Sequence, residues 1–451
     1  MTNVIKTKEA NDRSVLPPGP SGRWLPTLRL VRNPRKAFEG WAKQYGDPFF
    51  INALNGPVVI TGRPDLIREI FAHEPDEMGL FATGTVKPIL GEGSLLMMDG
   101  QAHRRERKLL TPLFHGERMK AYGQTFQQVA LQHAAGLSVG QKFVGLDLMQ
   151  SISQEIIARA IFGGQDEQTV SEMKMAAGQL ARNSSPLIFF SKRMQFSFFG
   201  LSPWDNFRQA QRRLFAALDR EIQIAKKSVA ERHDILALLL RARYDDGSSM
   251  DESHLKDELS TLLFAGHETS ALAMAWAMYH VHRHPQVLRE LRTSLDAGDD
   301  SPESLAKNAY LKAVIQETLR LNPIVTEVLR MLKTPLKLDR YEIPAGIAVA
   351  PAAALAHYNP TTFPEPDSFR PERFLDRSYT PFEYLPFGGG HRRCIGAAFA
   401  NYEMAVVLGT LFRRYEFELL EKREVVAVRR NVTMGPSTGI SLKLIRNRTA
   451  S

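Results

Sequence analysis

The chain has 451 residues, 43% of them hydrophobic and 24% charged, with 58 basic and 49 acidic side chains giving a formal net charge of +9. That composition suits a globular protein with a large core, and the single cysteine excludes an internal disulfide and fits a reducing cytoplasm. The positive balance suits an acidic partner, but no run of five or more basic residues marks a nucleic-acid-binding segment.

Residues 1–16 read as a polar, disordered tail with neither a signal peptide nor a membrane span, since no apolar stretch of about 18 residues occurs there. The proline-rich Leu16-Pro17-Pro18-Gly19-Pro20 follows it. Apolar spacing at Phe38, Trp41 and Tyr45 predicts a helix from Pro34 to Tyr45. Phe49 to Leu54, Asn55-Gly56 and Pro57 to Thr61 form a β-hairpin pattern, because Asn-Gly favours a tight turn. Pro64-Asp65 starts a helix running through Phe71. Residues 73–98, including Phe81, are rich in Gly, Pro and Met without a clear period. They read as a long irregular segment, which in a compact domain is usually functional.

His103 opens the next helical segment, where it shares a face with Arg107 at i,i+4, while Arg104 and Lys108 point away from that face. Residues 117–245 are helical with short breaks. Within them the aromatic stretch Pro186 to Phe190, containing Phe189, and Phe196 to Leu201 read either as a substrate channel or as ordinary packing. Met250 to His284 is apolar and helical for more than 30 residues, which requires a course through the core. Phe264 and Ala265-Gly266-His267-Glu268-Thr269 lie at its middle. A mid-helix Gly costs about 1 kcal/mol against Ala, and Thr269 can bond back to the Ala265 carbonyl and bend the helix. An acid beside an alcohol supplies a proton relay. Glu317 and Arg320, at i,i+3, can pair on the following helix. Val325, Thr326, Val328 and Arg330 lead into β-type segments at Leu336 to Leu338 and Ile347 to Val349. Pro371-Glu372-Arg373-Phe374 follows.

The lone cysteine lies in Phe387-Gly388-Gly389-Gly390-His391-Arg392-Arg393-Cys394-Ile395-Gly396. The glycines allow a turn and a close approach, and a small-residue helix follows, so its N–H groups should make Cys394 easy to ionise. Zinc would want further Cys or His at short spacing, and a nucleophile would want a base that the sequence does not supply. One thiolate with arginines beside it fits haem iron bound axially by Cys, with guanidinium groups for the propionates. After it, Val425 to Leu444 alternates like a terminal sheet, with Met434-Gly435-Pro436-Ser437 as a turn reaching a pocket.

Phe387, Gly388, Gly390, Arg392, Cys394 and Gly396 fill every fixed position of a motif that resembles the haem-loop signature of the cytochrome P450 family of haem-thiolate monooxygenases. Ala265-Gly266-His267-Glu268-Thr269 and the order Glu317, Arg320, Arg373 match that family too. The resemblance implies a mainly α-helical single domain over 17–445. Its β-rich lobe would be drawn from about 48–62, 330–355 and part of the C-terminus, with the long helix over haem b. It implies Cys394 as the axial ligand, with His103, Arg107 and Arg392 on one propionate and Arg330 on the second. Gly266 and Thr269 together would open a groove for water and dioxygen, with Ala265 and Gly266 against the haem and with Thr269 and Glu268 as the proton-delivering pair. The Glu317–Arg320–Arg373 network would hold the Cys loop from behind.

Phe81, Phe189, Phe264, Val325, Thr326, Val328 and Met434 would face an apolar substrate of the fatty acid, terpenoid, steroid or polyketide class, to be hydroxylated or epoxidised. Electrons from NAD(P)H would arrive through a reductase and a small acidic ferredoxin or flavodoxin, docked near Arg104, Lys108 and Arg393. A cytoplasmic monomer is expected. A peroxygenase of the same fold typically carries Arg-Pro in place of the acid–Thr pair, and a haem sensor or carrier has no use for a proton relay.

Overall fold

The structure is a computed structural model that describes residues 16–114, 116–163, 166–184, 188 and 192–448. The chain is mainly helical with a smaller β component. Residues 17–445, read above as one domain, divide into two compact units. One draws on the stretches up to Phe81, Thr326–Pro366 and Thr380–His391, and the other on Ala82–Val325, Asp367–Tyr379 and Arg392 onward.

The first unit is built on a five-stranded sheet in the order Phe49–Ala53, Gly56–Thr61, Ala348–Pro351, Arg330–Leu332, Met78–Gly79. The predicted hairpin pairs Phe49 with Ile60 and Ala53 with Gly56, and Gly56–Thr61 then runs parallel to Ala348–Pro351 with Val59 opposite Val349. The helix Pro34–Tyr45 begins where the Asn33 side chain accepts the Lys36 N–H and ends at Gly46, whose φ is 92°. It lays Phe38 and Trp41 on the sheet, their rings each centred 6.2 Å from that of Phe49. Phe49, Ile51, Val58 and Ile60 complete that core.

The second unit is organised around the helix Glu252–Arg283, capped by the Asp251 carboxylate accepting the His254 N–H. Its flanks are buried on nearly every side, as the absence of an amphipathic stripe predicts. It packs against Gly145–Phe162, Ala309–Leu321 and Ala397–Arg414. A three-stranded sheet (Lys142–Val144, Ser441–Asn447, Tyr415–Leu419) and the hairpin Ala427–Arg430 with Thr433–Pro436 complete the unit. No helix among the described residues is long and apolar enough to cross a membrane.

Several expectations are corrected. Residues 73–98 are not one irregular segment: they hold the strand Met78–Gly79 and the helix Thr83–Leu90, which starts after Ala82 at φ 56° and stops at Gly91. Pro88 inside that helix and the glycines around it erased the periodic signal. Met434-Gly435-Pro436 is a buried strand rather than a turn. The reversal falls earlier, at Asn431 with φ 54°, and the Met434 N–H donates to the Ile324 carbonyl at 2.9 Å. Trp24–Arg32 is a helix with no counterpart in the sequence reading. The long helix is continuous through residues 265–269.

Candidate active site

Cys394 lies between one turn of 3-10 helix, Gly390–Arg392, and the helix Ala397–Arg414. Gly388 and Gly390 have φ of 65° and 64°, values that a side chain would resist, and a Cβ on Gly389 would fall 2.2 Å from the Phe71 ring. The glycine run is therefore required by backbone conformation and by close packing. The thiol has solvent access, and the Gly396 N–H bonds to its sulfur. Desolvation by the surrounding protein nevertheless pushes its pKa above that of an ordinary thiol, against the pull of that N–H, Arg107 and Arg393. The easily ionised cysteine expected from the helix N-terminus is opposed in the chain alone by desolvation from the protein packed around the sulfur.

Arg107 stands on the helix Gly100–Leu110, one turn beyond the buried His103, and its charge acts on Cys394. Burial lowers the pKa of Arg107. Arg392 donates to the Met98 carbonyl, and desolvation pushes its pKa down to about 10, with Asp99 opposing the fall and Arg107 adding to it. Arg107 and Arg392 thus repel each other at the edge of the thiol. Such a crowd of guanidinium groups calls for an anion, and a thiolate with carboxylates beside it meets that demand. The donor set fits haem bound by one Cys with its propionates on arginine.

The electron-donor patch needs correcting. Lys108 and Arg105 are taken up by Asp245 at 2.8 Å and Asp246 at 2.7 Å, so the outward charge of this helix is partly neutralised. Arg104 and Arg393 remain exposed.

On the long helix the burial pattern opens a window. Ala265 is exposed and Phe264, Gly266, Glu268 and Thr269 are half-buried, whereas the turns on either side are buried. The Thr269 hydroxyl donates to the Ala265 carbonyl at 2.8 Å. Gly266 does not make the opening: a Cβ there would meet Ile157 at 3.0 Å, so this glycine serves close packing against Gly145–Phe162. The small side chain of Ala265 makes the window. Burial raises the Glu268 pKa, and Arg430 opposes the rise. Arg430 had no place in the sequence reading, since nothing in the local pattern marks one arginine of a hairpin as facing inward.

Glu317 and Arg320 form a two-point ion pair, and Arg373 Nε adds a third contact to Glu317 Oε1 at 3.1 Å. All three side chains are buried. In the first unit Arg330 is buried and donates to the Leu329 carbonyl at 2.9 Å. A Cβ on Gly388 would lie 3.5 Å from Val328, Phe387 is half-buried, and the Thr326 hydroxyl bonds the Glu327 carboxylate. Phe81 is half-buried and packs beside Gly56 and against the Phe38–Trp41 core. In the second unit Met434 is buried and Val325 exposed. Phe189 lies outside the described residues. A separate cavity of about 400 Å³, lined by Lys87, Arg208, Gln211 and Asp257 among others, contains none of the site candidates.

The family described as Cytochrome P450 matches residues 17–443. A protein of Mycobacterium tuberculosis (strain ATCC 25618 / H37Rv) named "Putative cytochrome P450 138" is 34% identical over 444 residues, covering 97% of this chain and 98% of its own. Another from the same strain, "Putative cytochrome P450 135B1", is 32% identical over 442 residues, covering 97% and 93%. Among solved structures, retinoic acid bound cyanobacterial CYP120A1 superposes with a TM-score of 0.84 over 96% of this chain and 99% of that one, at 23% identity, a likeness of fold. Fold, haem-loop motif and whole-length similarity agree, and the chain belongs to the cytochrome P450 family.

Proposed function

We propose that this chain is a haem-thiolate monooxygenase that inserts one atom of dioxygen into an apolar organic substrate by hydroxylation or epoxidation. The observation that carries the reading is Cys394, the sole thiol, at a glycine-shaped turn under the charge of Arg107 and Arg393. Bound to that thiolate, haem b supplies reductive activation of dioxygen, the sulfur's electron donation favouring O–O cleavage.

The chain's own residues do the rest. His103, Arg107 and Arg392 hold one propionate and Arg330 the other, while Phe387, Gly388 and Gly396 shape the loop around Cys394. Ala265 keeps the long helix free of bulk at the window. Thr269 offers a hydroxyl to the reacting oxygen, and Glu268, whose pKa is raised by burial, carries protons to it from solvent. Glu317, Arg320 and Arg373 fix the segment behind the loop. Phe264, Val325, Thr326, Val328 and Met434 present apolar or small surface to a fatty acid, terpenoid, steroid or polyketide. Electrons come from NAD(P)H through a small acidic ferredoxin or flavodoxin with its reductase, meeting Arg104 and Arg393.

The test is the spectrum of the reduced, carbon-monoxide-bound protein, wild type against Cys394→Ser. The wild type should give the thiolate-type band and the variant should lose it. A band that survives in the variant overturns the assignment. Turnover driven by NAD(P)H and a reductase system, but not by peroxide alone, separates a monooxygenase from a peroxygenase. Absence of turnover under both conditions indicates a carrier.

A further inference from the structure

The hairpin Ala427–Arg430/Thr433–Pro436 lies against the long helix just beyond Glu268. Gly435 marks the contact. A Cβ there would fall 2.5 Å from Leu272 Cδ2, 2.8 Å from Arg430 Cδ and 3.2 Å from Arg430 Nε. The Arg430 stem therefore crosses the bare Gly435 backbone beside Leu272, one helical turn after Glu268. Arg430 Nε is shut off from solvent and has no hydrogen-bond partner among the described residues. No direct ion pair joins Arg430 to Glu268, yet Arg430 is the one charged group whose field is resolved at that carboxyl.

Several of the other ionisable groups on the elements packed here face other groups. His267 turns Nδ1 to the Leu263 carbonyl and is kept neutral by burial. Glu403 faces Ser153 and Ser270, Glu155 is held by His133, Arg159 and Lys174, and Glu317 by Arg320 and Arg373. Arg429, next along the hairpin strand, also has a buried Nε.

We propose that Arg430 is the positioning residue of the proton-delivering carboxyl: held across Gly435, its guanidinium keeps the Glu268 carboxylate turned toward the window and stabilises it once its proton has left. This rests on the monooxygenase reading for its purpose, though not for its geometry. In the step itself, Glu268 as the acid gives its proton to the Thr269 hydroxyl, which releases its own toward the window. Glu268 then takes a new proton from solvent. Without Arg430, burial alone would leave Glu268 a weaker acid that releases its proton reluctantly.

The experiment is a pH titration of the Glu268 carboxyl by difference infrared spectroscopy on the haem-loaded protein, the band being identified by its loss in Glu268→Gln. Arg430→Met keeps the stem over Gly435 and removes the charge, and Arg430→Lys restores a cation. The Met variant should shift the Glu268 titration to higher pH and move the pH dependence of product formed per NAD(P)H in the same direction, and the Lys variant should restore both. An unchanged carboxyl titration in Arg430→Met overturns the proposal, whatever happens to turnover. If the wild type lacks the thiolate-type spectrum, the monooxygenase reading falls, while the infrared titration still decides whether Arg430 governs Glu268. Should the Met variant not fold, Arg430→Gln supplies the same comparison.

Discussion

Arg320 and Glu317 meet twice, Nε to Oε2 at 2.7 Å and Nη2 to Oε1 at 2.8 Å, with neither side chain exposed to solvent at all. Glu317 Oε1 also accepts the Arg370 N–H at 2.9 Å, and Arg320 Nη2 donates to the Ser368 carbonyl at 3.1 Å. The pair thus ties the helix Ala309–Leu321 to the backbone of 368–370, and Arg373 adds a second cation to the same carboxylate. A buried ion pair with its remaining valences satisfied is costly to break from one side, because the orphaned charge stays in place.

Glu317→Ala should therefore lower stability by about 3–5 kcal/mol and yield protein with little haem. Thermal unfolding and the ratio of haem to protein absorbance measure both. Wild-type melting with full haem content would reduce the network to an ordinary contact.

Thr269→Ala removes the hydroxyl that donates to the Ala265 carbonyl while leaving the long helix intact. Haem content and substrate-induced spectral shifts should stay as in the wild type. Product formed per NAD(P)H should fall by about tenfold, with electrons diverted to peroxide. Thr269→Ser should recover most of the coupling. Equal coupling in wild type and the Ala variant would take Thr269 out of proton delivery.

Much of this was legible in the sequence because local chemistry and tertiary context agree there. Asn55-Gly56 turns the first hairpin, Pro34 and Asn33 start a helix, and the Thr269–Ala265 bond follows from i,i−4 spacing alone. The haem-loop motif announces itself since Gly388 and Gly390 need positive φ and Gly389 has no room beside Phe71. What escaped depends on an interior proline or on distant residues. The helix Thr83–Leu90 contains a proline. Thr433–Pro436 is a strand because Gly435 meets Leu272 from another part of the chain. The raised pKa of Cys394 comes from protein that surrounds it in space. Arg430 reaches Glu268 only through the fold.

Acid stability should be set partly by His282. Its Nδ1–H donates to the Met278 carbonyl at 2.7 Å, leaving Nε2 sealed from solvent and without a partner among the described residues. Burial pushes its pKa down from 6.5 to about 4, and the Arg292 charge adds to the fall. Between those values the unfolded chain binds the proton and the folded one does not. Stability is therefore complete above pH 6.5 and is lost as pH falls toward 4, by on the order of 3 kcal/mol. His280, lowered to about 4 by burial and bonded through Nε2 to Asn322, adds to the same slope. Denaturant unfolding at pH 7 and pH 4.5 should show a smaller loss in His282→Gln, where the amide can still donate to Met278. An identical loss in both proteins would assign acid lability to other groups.

Glu258 should act in the opposite direction. Its Oε2 accepts the Leu95 N–H at 2.7 Å, and the side chain is almost wholly buried. Desolvation raises its pKa from 4.5 to about 8, with the nearby carboxylates Glu106 and Asp257 pushing further the same way. Here the folded state holds the proton and the unfolded state gives it up, so stability declines as pH rises from 4.5 through about 8. The loss is on the order of 5 kcal/mol at most. Glu106 and Asp257, whose pKa values burial also raises, add to that decline, and Glu106 accepts the Tyr244 hydroxyl at 2.7 Å. Glu258→Gln keeps an oxygen for the Leu95 N–H, cannot ionise, and relieves Glu106 and Asp257 of a like charge. The variant should match the wild type at pH 5 and exceed it by several kcal/mol at pH 8.5, read from denaturant midpoints at each pH. The excess should grow with pH, because the wild type alone has to ionise a carboxyl between Ser94 and the start of the long helix. Parallel stability curves for the two proteins across pH 5 to 8.5 would mean that Glu258 is already charged in the native state, with water or a cation beside it.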